Sequence, residues 1–307
     1  MRLWEYWIMP FLGCKRVYRD IMILVTGAAG KTGQVIIRAL AARKQNVRAL
    51  VRREHQIAEV QAIGAVEAVV GDMRDQSVLS QAAEGTRALY HICPNVHPDE
   101  IAIGDAIIAA AMSAGVQYFV FHSVLRPQIE SMPHHWKKMR VEEALFESGL
   151  AFTILQPASY MQNVISIWDG IVDRGVLAAP YSVQSQSSPV DLHDVAAAAA
   201  IVLCEPEHRG ATYELCGPDV ITQSEQAAII SSEMGCMVHA EQTDLDEWAR
   251  QARINGFGQY ALETLCKMFL YYDQHGFWGN SHTLRALLGR PPTSYADFMK
   301  RILRKKE

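Results

Sequence analysis

The chain has 307 residues, half of them apolar and a fifth charged, which is typical of a folded globular protein with one large core or a core and a smaller lobe. Lysine and arginine number 29 against 33 aspartates and glutamates, so the formal net charge is -4 and a general nucleic-acid surface is excluded. No apolar run approaches the roughly 20 residues that a membrane-spanning helix needs, so we expect no membrane association.

The first 20 residues differ in character from the rest of the chain. They are aromatic and are interrupted by Glu5 and Pro10. They lack the long apolar run and the small-residue cleavage site of a secretory signal. We therefore interpret residues 1–20 as an N-terminal extension outside the fold.

From residue 21 onward, buried-strand patterns alternate with helical patterns. Strands are predicted over 21–26, 47–51, 67–70, 88–92, 118–122 and 152–155. Helices are predicted over 32–43, 58–63, 77–83, 101–114 and 134–147. Strict alternation with short connections predicts a doubly wound parallel sheet with helices on both faces, which is the Rossmann-type α/β fold. We place this domain at residues 21–156.

The alternation loosens after residue 156. We expect a polar loop over 178–189, a helix over 191–203 capped by Asp191, a strand over 211–215, a helix over 222–234, and further helices from 243 to a last one over 295–303. Segments near 191–217 are expected to join the Rossmann domain. The rest of 157–307 is predicted to form a smaller, mainly helical C-terminal lobe over the carboxyl ends of the strands, where such sheets bind ligands.

The turn after the first strand is rich in glycine and reads GxxGxxG. Its first glycine permits a tight turn, its second lets the backbone approach a pyrophosphate, and its third lets helix and strand pack closely. The helix start also offers free N–H groups to phosphates. We expect dinucleotide binding by Gly27, Ala29, Gly30, Lys31, Thr32 and Gly33. The alternative is a glycine-rich turn without a ligand.

The same turn shares Gly30, Lys31 and Thr32 with the end of a nucleoside-triphosphate loop. That loop needs a further glycine five residues before Gly30, where Val25 stands within the strand. A kinase or an NTPase is therefore disfavoured.

The end of the second strand indicates which dinucleotide binds. An NAD site places a carboxylate there for the ribose 2′-hydroxyl, whereas this chain has Arg52 and Arg53. Guanidinium groups suit a 2′-phosphate through bidentate, charge-assisted hydrogen bonds. The sequence therefore predicts NADP(H) as the cofactor. Two solvated surface arginines are the alternative.

Residues after later strands complete the predicted cofactor groove. Asp72, with Met73 beside it, follows the third strand, where its carboxylate is placed to accept a hydrogen bond from adenine; a cap or turn aspartate is the alternative. Cys93 and Pro94 follow the fourth strand, and we interpret Cys93 as a small buried thiol rather than a redox group. Pro157 follows the sixth strand and is expected on the nicotinamide side, with Tyr160, Met161 and Asn163 beyond it.

Six stretches between residues 21 and 303 resemble the NmrA-like branch of the atypical short-chain dehydrogenases/reductases: TGAAGKTG, VRR, GDMRD, FHSV, VEEALFESGLAFTILQPASYMQN and LLGRPPTSYADF. The resemblance implies an NADP(H)-binding Rossmann domain with a small C-terminal lobe. Some members of that family reduce quinones, dyes or phenolic metabolites. Others bind NADP and act as redox-sensing regulators without turnover.

The chain lacks the Tyr-x-x-x-Lys pair of ordinary short-chain dehydrogenases, in which both side chains share one helix face. In the matching helix stand His134 and Lys138, four residues apart. The resemblance aligns Lys138 with the lysine of isoflavone-reductase-like relatives and places Ser123 at the family's active-site serine. We expect Lys138 to bind the ribose hydroxyls, Ser123 to orient the substrate oxygen, and His134 to donate a proton. His135 or Tyr160 could replace His134 as the donor, and water is a further source.

These features predict an NADPH-dependent reductase that transfers hydride to a quinone-like or other unsaturated small-molecule acceptor. The alternative is a non-catalytic NADP(H)-sensing regulator, which would present its C-terminal lobe to a protein partner. A homodimer is also compatible with the sequence. The six cysteines have no metal-binding spacing, so we expect reduced thiols, no metal site and a cytoplasmic protein.

Overall fold

A computed structural model describes residues 21–304, and the extension predicted for residues 1–20 lies outside that range. Its strands are β1 Met22–Val25, β2 Asn46–Val51, β3 Glu67–Val70, β4 Ala88–His91, β5 Tyr118–His122, β6 Phe152–Pro157, β7 Val176–Ala179, β8 Gln186–Ser187, β9 Ala211–Leu215, β10 Ile221–Thr222 and β11 His239–Gln242. Its α-helices are α1 Lys31–Ala42, α2 Gln56–Ala62, α3 Gln76–Ala83, α4 Glu100–Ser113, α5 Pro133–Glu147, α6 Trp168–Arg174, α7 Leu192–Cys204, α8 Gln223–Met234, α9 Leu245–Ile254, α10 Gln259–His275, α11 His282–Leu288 and α12 Tyr295–Arg304. Two 3-10 helices cover Met161–Ile167 and Pro206–His208.

The central sheet has seven strands in the order β3-β2-β1-β4-β5-β6-β9, and every neighbouring pair is parallel. The chain moves outward in one direction from β1 to β3 and in the other from β4 to β9. This is the predicted doubly wound Rossmann arrangement, and it is confirmed. The reversal between β1 and β4 opens a crevice at the carboxyl ends of the strands, where such sheets bind their ligands.

Alternate residues of each strand point to opposite faces of the sheet and enter different cores. Ile23 and Val25 of β1 pack in one apolar cluster with α1 and α7, whereas Leu24 packs in the other with α3, α4 and α5. Because both faces are covered by helices, the central strands β1, β4 and β5 are almost entirely buried and mainly apolar, which is the pattern that identified them in the sequence.

The C-terminal part of the chain is mainly helical and has an apolar cluster of its own. Trp168 of α6, Ile230 of α8 and Phe298 of α12 lie within that cluster. Helix α7 and strand β9, by contrast, belong to the central sheet region. The buried residues of α7 lie in a core cluster of the sheet, and β9 pairs with β6 at five positions, from Thr153 opposite Ala211 to Pro157 opposite Leu215.

The prediction of a loop over residues 178–189 is wrong at both ends. Strand β7 runs to Ala179 and pairs with β11, and Gln186–Ser187 pairs with Ile221–Thr222. The two-residue strand β8 is polar and is held by backbone hydrogen bonds, so it has no alternation of apolar and polar residues that sequence reasoning could detect.

Candidate active site

A cavity of about 1210 Å³ lies over the carboxyl ends of the central strands. Each of the first six strands supplies lining residues just beyond its end. The predicted site residues that line this cavity are Gly27, Ala29, Gly30, Lys31, Thr32, Gly33, Arg52, Asp72, Met73, Cys93, Pro94, Ser123, His134, Lys138, Pro157 and Tyr160. Arg53 is not among the lining residues, and its side chain is exposed to solvent.

The glycine-rich turn shapes one end of the cavity. Gly27 has a φ of +59°, and a Cβ there would lie 2.8 Å from the carbonyl oxygen of Ile92. A Cβ on Gly33 would lie 2.4 Å from the carbonyl oxygen of Gly27, so α1 approaches β1 as closely as only glycine allows. The spacing of the glycines therefore serves the packing of this βα unit as well as a ligand.

Helix α1 directs its N-terminus at the cavity. The helix begins at Lys31 behind the N-cap Gly30, which has no side chain to accept from the first N–H groups. The N–H groups of Lys31, Thr32 and Gly33 lack intrahelical acceptors because they belong to the first turn. These residues all line the cavity. The turn therefore fits a diphosphate, which such N–H groups and the helix dipole bind.

A cluster of opposite charges follows β2 and β3. Arg74 donates to both carboxylate oxygens of Asp72, over 3.0 and 2.7 Å, and the Nε atom of Arg52 lies 4.0 Å from Asp72. The hydrogen bonds from Arg74, helped by the charge of Arg52, hold the pKa of Asp72 well below its usual range. Asp72 therefore holds Arg74 in place, and sequence reasoning, which assigned Asp72 to adenine, missed Arg74.

The cluster presents two guanidinium groups at the end where the ribose of a dinucleotide would lie. Arg52 and Arg74 both line the cavity, and the side chain of Arg52 is 72% exposed and so has room to reorient. The backbone N–H groups of Arg52 and Arg53 each donate to Gln56 over 3.0 Å, which fixes the turn that carries them. This pair of cations suits a 2′-phosphate.

The middle of the cavity contains a buried ion pair. The Nζ atom of Lys138 lies 2.7 Å from an oxygen of Glu100, whose side chain is only 1% exposed. Burial lowers the pKa of Lys138, but the attraction of Glu100 outweighs that effect and the net shift is upward. Lys138 is therefore a permanent positive charge beside the cavity.

The histidines next to this charge are neutral. Burial and the charge of Lys138 lower the pKa of His134 to about 4, and burial brings the pKa of His135 well below its ordinary value. A neutral imidazole is a poor proton donor near pH 7. The electrostatics therefore disfavour the predicted role of His134, and of His135 in its place, as the acid.

Ser123 follows β5 and is held from below by a buried carboxylate. Its hydroxyl donates to Glu142 in a short hydrogen bond, and the amide of Gln156 donates to both oxygens of Glu142 over 2.9 and 3.0 Å. Because its proton is committed to Glu142, Ser123 offers only lone pairs to the cavity. It can orient a ligand by accepting a hydrogen bond from it.

Tyr160 is hydrogen-bonded to a residue that sequence reasoning overlooked. His122, the last residue of β5, has its Nε2 atom 2.5 Å from the Tyr160 hydroxyl, and both side chains line the cavity. Burial raises the pKa of Tyr160, while a hydrogen bond with Thr32 opposes that shift. Tyr160 therefore stays protonated at neutral pH and is available as a proton donor.

The far end of the cavity is an aromatic chamber formed by Tyr181, Trp248, Phe269, Tyr272 and Phe277. Trp248 and Phe269 meet edge to face with centroids 4.7 Å apart, and Tyr272 stacks on Phe277 at 4.8 Å. Met161 and Asn163, which the sequence placed near the nicotinamide, also line the cavity. Walls of this kind accept a flat, unsaturated molecule.

Cys93 lines the cavity and is 5% exposed. Burial and the nearby charge of Glu100 raise the pKa of its thiol, so it is protonated and unreactive, in keeping with the interpretation as a buried thiol. Among residues 21–304, no group of three or more histidines, cysteines and carboxylates is arranged to hold a metal ion.

Comparison with known proteins assigns the chain to a family. The model of the NmrA-like family matches residues 19–289. The chain belongs to the NmrA-like family. This NmrA-like protein is 29% identical to an NAD(P)H azoreductase of Xenophilus azovorans, over 91% of this chain and 97% of the relative. It is 31% identical to a (4-alkanoyl-5-oxo-2,5-dihydrofuran-3-yl)methyl phosphate reductase of Streptomyces griseus, over 90% of this chain and 96% of the relative.

The fold is also found in solved structures. The NADPH-dependent quinone oxidoreductase QOR2 of Escherichia coli, crystallised as its NADPH complex, superposes on the NmrA-like chain with a TM-score of 0.81. The two sequences are 25% identical, and the match covers 92% of this chain and all of the other. The predicted family and fold class are thus confirmed.

Proposed function

We propose that this protein is an NADPH-dependent reductase that transfers hydride to a quinone-like or other unsaturated small-molecule acceptor. The observation that carries the proposal is a single continuous cavity with three parts. A phosphate-binding turn with two guanidinium groups lies at one end, an aromatic chamber lies at the other, and Lys138 and Tyr160 lie between them. Such a cavity has space for a dinucleotide and for an acceptor beside it.

Each part of the cavity has a role in this function. The turn from Gly27 to Gly33 would hold the diphosphate, and Arg52 and Arg74 the 2′-phosphate. Pro94 and Pro157 would border the nicotinamide, which supplies the hydride when NADPH is bound. The aromatic chamber would hold the acceptor against that face.

The charges around the acceptor favour reduction. A hydride adds negative charge to the acceptor, and the ammonium group of Lys138, which lines the cavity, stabilises that charge. Tyr160 supplies the proton, because it is protonated at neutral pH whereas His134 is neutral and has no acidic proton to give. Ser123 accepts a hydrogen bond and so orients the ligand.

The relatives support this assignment. The Xenophilus azovorans and Streptomyces griseus proteins are both reductases by name, and both align with this chain along nearly their whole length. The Escherichia coli quinone oxidoreductase binds NADPH. The non-catalytic regulator that the sequence left open has no specific feature of this structure in its favour.

The test is NADPH oxidation by the purified full-length protein with a panel of quinones, azo dyes and triphenylmethane dyes. We expect saturable turnover with at least one acceptor and a strong preference for NADPH over NADH. Tight NADPH binding without oxidation by any acceptor would contradict the reductase assignment. Capture of a protein partner only in the NADPH-bound state would then favour the regulator.

The thiols and helices of the described residues bear on the location of the protein. The cysteines that the structure describes are all unpaired thiols, which supports the prediction of a reducing, cytoplasmic compartment. No helix within residues 21–304 is long and apolar enough to cross a membrane. A small-molecule acceptor is the partner that the cavity supports, and a homodimer or a protein partner stays a prediction.

A further inference from the structure

We propose that His122 and Tyr90 are positioning residues that direct the hydroxyl proton of Tyr160 into the cavity. This inference rests on the proposed reductase function, in which Tyr160 protonates the reduced acceptor. It assigns a role to His122 and Tyr90, neither of which has a role in binding the cofactor or the acceptor. It also explains why a histidine stands at the end of β5.

The three side chains form one line of hydrogen bonds. The Tyr90 hydroxyl lies 2.6 Å from the Nδ1 atom of His122, and the Nε2 atom of His122 lies 2.5 Å from the Tyr160 hydroxyl. Tyr90 is fully buried and His122 is 5% exposed. The line therefore begins inside the sheet and ends at the cavity wall.

Counting protons fixes the direction of this line. Burial and the charge of Lys138 lower the pKa of His122 to about 3, so its ring is neutral and carries one N–H. Among residues 21–304, His122 is the one residue that is hydrogen-bonded to the Tyr90 hydroxyl. A buried hydroxyl without an acceptor is costly, so Tyr90 donates to Nδ1, and the single N–H of the ring is then on Nε2.

This tautomer of His122 determines where the hydroxyl proton of Tyr160 points. The Nε2–H group of His122 donates to the Tyr160 oxygen, so the Tyr160 proton points away from the histidine. It is then free to point to a ligand in the cavity, which Tyr160 lines. The opposite tautomer would turn the Tyr160 proton back toward the ring and leave the Tyr90 proton without an acceptor.

The same donor stabilises Tyr160 after the proton has left. Hydride addition leaves the acceptor with a negative charge, and the Tyr160 O–H bond breaks as its proton forms the new bond to that anion. The resulting phenolate keeps the hydrogen bond from Nε2–H and regains a proton from solvent. Tyr90 is not a proton source, because it is fully buried, does not line the cavity, and the line ends there.

The direct test is nitrogen-15 NMR of His122 in the ligand-free protein, with His122→Gln used to assign its signals. We expect the shifts of a neutral ring protonated at Nε2. Tyr90→Phe removes the donor to Nδ1 and should let the Nδ1–H form appear. Tyr118→Phe is the matched control, because it removes another buried strand hydroxyl, bonded to Thr153 away from the cavity, and should leave the tautomer unchanged.

The kinetic arm compares variants of the same line. Tyr160→Phe should lower kcat about 100-fold or more, the scale of a lost general acid. His122→Leu should lower kcat with KM for NADPH unchanged. His122→Gln should recover much of the loss, because its amide keeps a donor near the Nε2 position. Tyr118→Phe should turn over like the wild type.

The outcomes separate the two proposals. A ring protonated at Nδ1 in the wild type overturns the inference whether or not the protein turns over. A wild type that oxidises NADPH while Tyr160→Phe is equally fast also overturns it and leaves the reductase assignment intact. If none of the acceptors lets the wild type oxidise NADPH, the proposed function is overturned, and the role of Tyr160 as proton donor is overturned with it.

Discussion

Arg52 and Arg53 are neighbours in the sequence, yet only Arg52 lines the cavity. The sequence predicted a guanidinium at the end of β2 because a carboxylate is missing there. It did not separate the two arginines, since the direction of each side chain depends on the turn that Gln56 holds. Arg74 could not be assigned at all, because its role depends on the ion pair with Asp72.

Arg52→Asp should weaken NADPH binding about 10- to 100-fold, the effect of losing roughly 1.5–3 kcal/mol of charge-assisted hydrogen bonding, while NADH binding changes little. Arg53→Asp is the matched control and should leave both affinities near those of the wild type. Calorimetric titration with each dinucleotide measures the effect. An equal loss for NADPH and NADH in Arg52→Asp would remove Arg52 from the 2′-phosphate site.

Lys138 was predicted from the family resemblance, but its partner Glu100 was not, since the two are 38 residues apart. The pair changes what a lysine substitution does. Without Lys138, the buried Glu100 carboxylate has no counter-charge, and breaking such a pair typically costs about 3–5 kcal/mol.

Lys138→Met should therefore lower the free energy of unfolding by about that amount and also abolish turnover. Adding Glu100→Gln should restore most of the stability, because it removes the unpaired charge, but should not restore turnover. Urea unfolding and NADPH oxidation measure the two effects separately. If the single variant were as stable as the wild type, the ion pair would not have the importance that its burial indicates.

At the scale of the element, the β1–α1 unit shows how one motif serves two purposes. The spacing of its glycines was evident in the sequence, and so was the break between strand and helix. The structure shows in addition that a Cβ at position 33 meets backbone atoms within 3 Å, whereas a Cβ at Gly30 has its nearest contact at 3.2 Å, with the Gly27 carbonyl oxygen. Alanine substitutions of the two glycines should therefore have different effects.

Gly33→Ala should lower the thermal unfolding midpoint, because the backbone of the turn has to move away from α1. Gly30→Ala should fold with nearly the wild-type midpoint and bind NADPH more weakly, because the added methyl group faces the space of the diphosphate. Thermal unfolding with and without NADPH distinguishes the two variants. A Gly30→Ala variant with unchanged NADPH affinity would contradict the assignment of the turn.

The elements of the sheet were predictable because their signals are local. Strands β3, β5 and β9 have the predicted bounds, and Asp191 caps α7 as expected. The short strands β8 and β10 were not predictable, because they depend on pairing between distant, polar segments. The division of the chain at residue 156 into two domains stays a prediction.

At the scale of the whole molecule, four buried histidines link stability to pH, and burial brings the pKa of one of them, His135, well below its ordinary value. Burial and the charge of Lys138 lower the pKa of His91 and His122 to about 3 and that of His134 to about 4. In the unfolded chain they titrate at about 6.5. Because the folded pKa values are depressed, the stability is complete above pH 6.5 and is lost as the pH falls toward the folded values.

Between pH 7 and pH 5, the free energy of unfolding should fall by about 2 kcal/mol for each of His91, His122 and His134, since only the unfolded chain takes up their protons in that range. Urea unfolding at the two pH values measures the change. An equal midpoint at pH 7 and pH 5 would show that these rings are not held neutral in the folded protein.

The sequence predicted the residues at one end of the cavity but not those at the other. Its cofactor end is made of motifs that each lie within a few residues, and these were found. Its aromatic chamber joins side chains of α9 and α10 to Tyr181 and Phe277, and the line from Tyr90 to Tyr160 joins residues of β4 and β5 to a residue beyond β6. Such groups come together only when the chain folds.

The most direct test of the account is a single-turnover reaction of the full-length protein. The protein is mixed with one equivalent of NADPH, and the reduced-nicotinamide absorbance is followed after a quinone or azo acceptor is added. We predict a rapid, saturable loss of that absorbance in the wild type and a much slower loss in Tyr160→Phe. A bound NADPH that stays reduced with every acceptor would contradict the account.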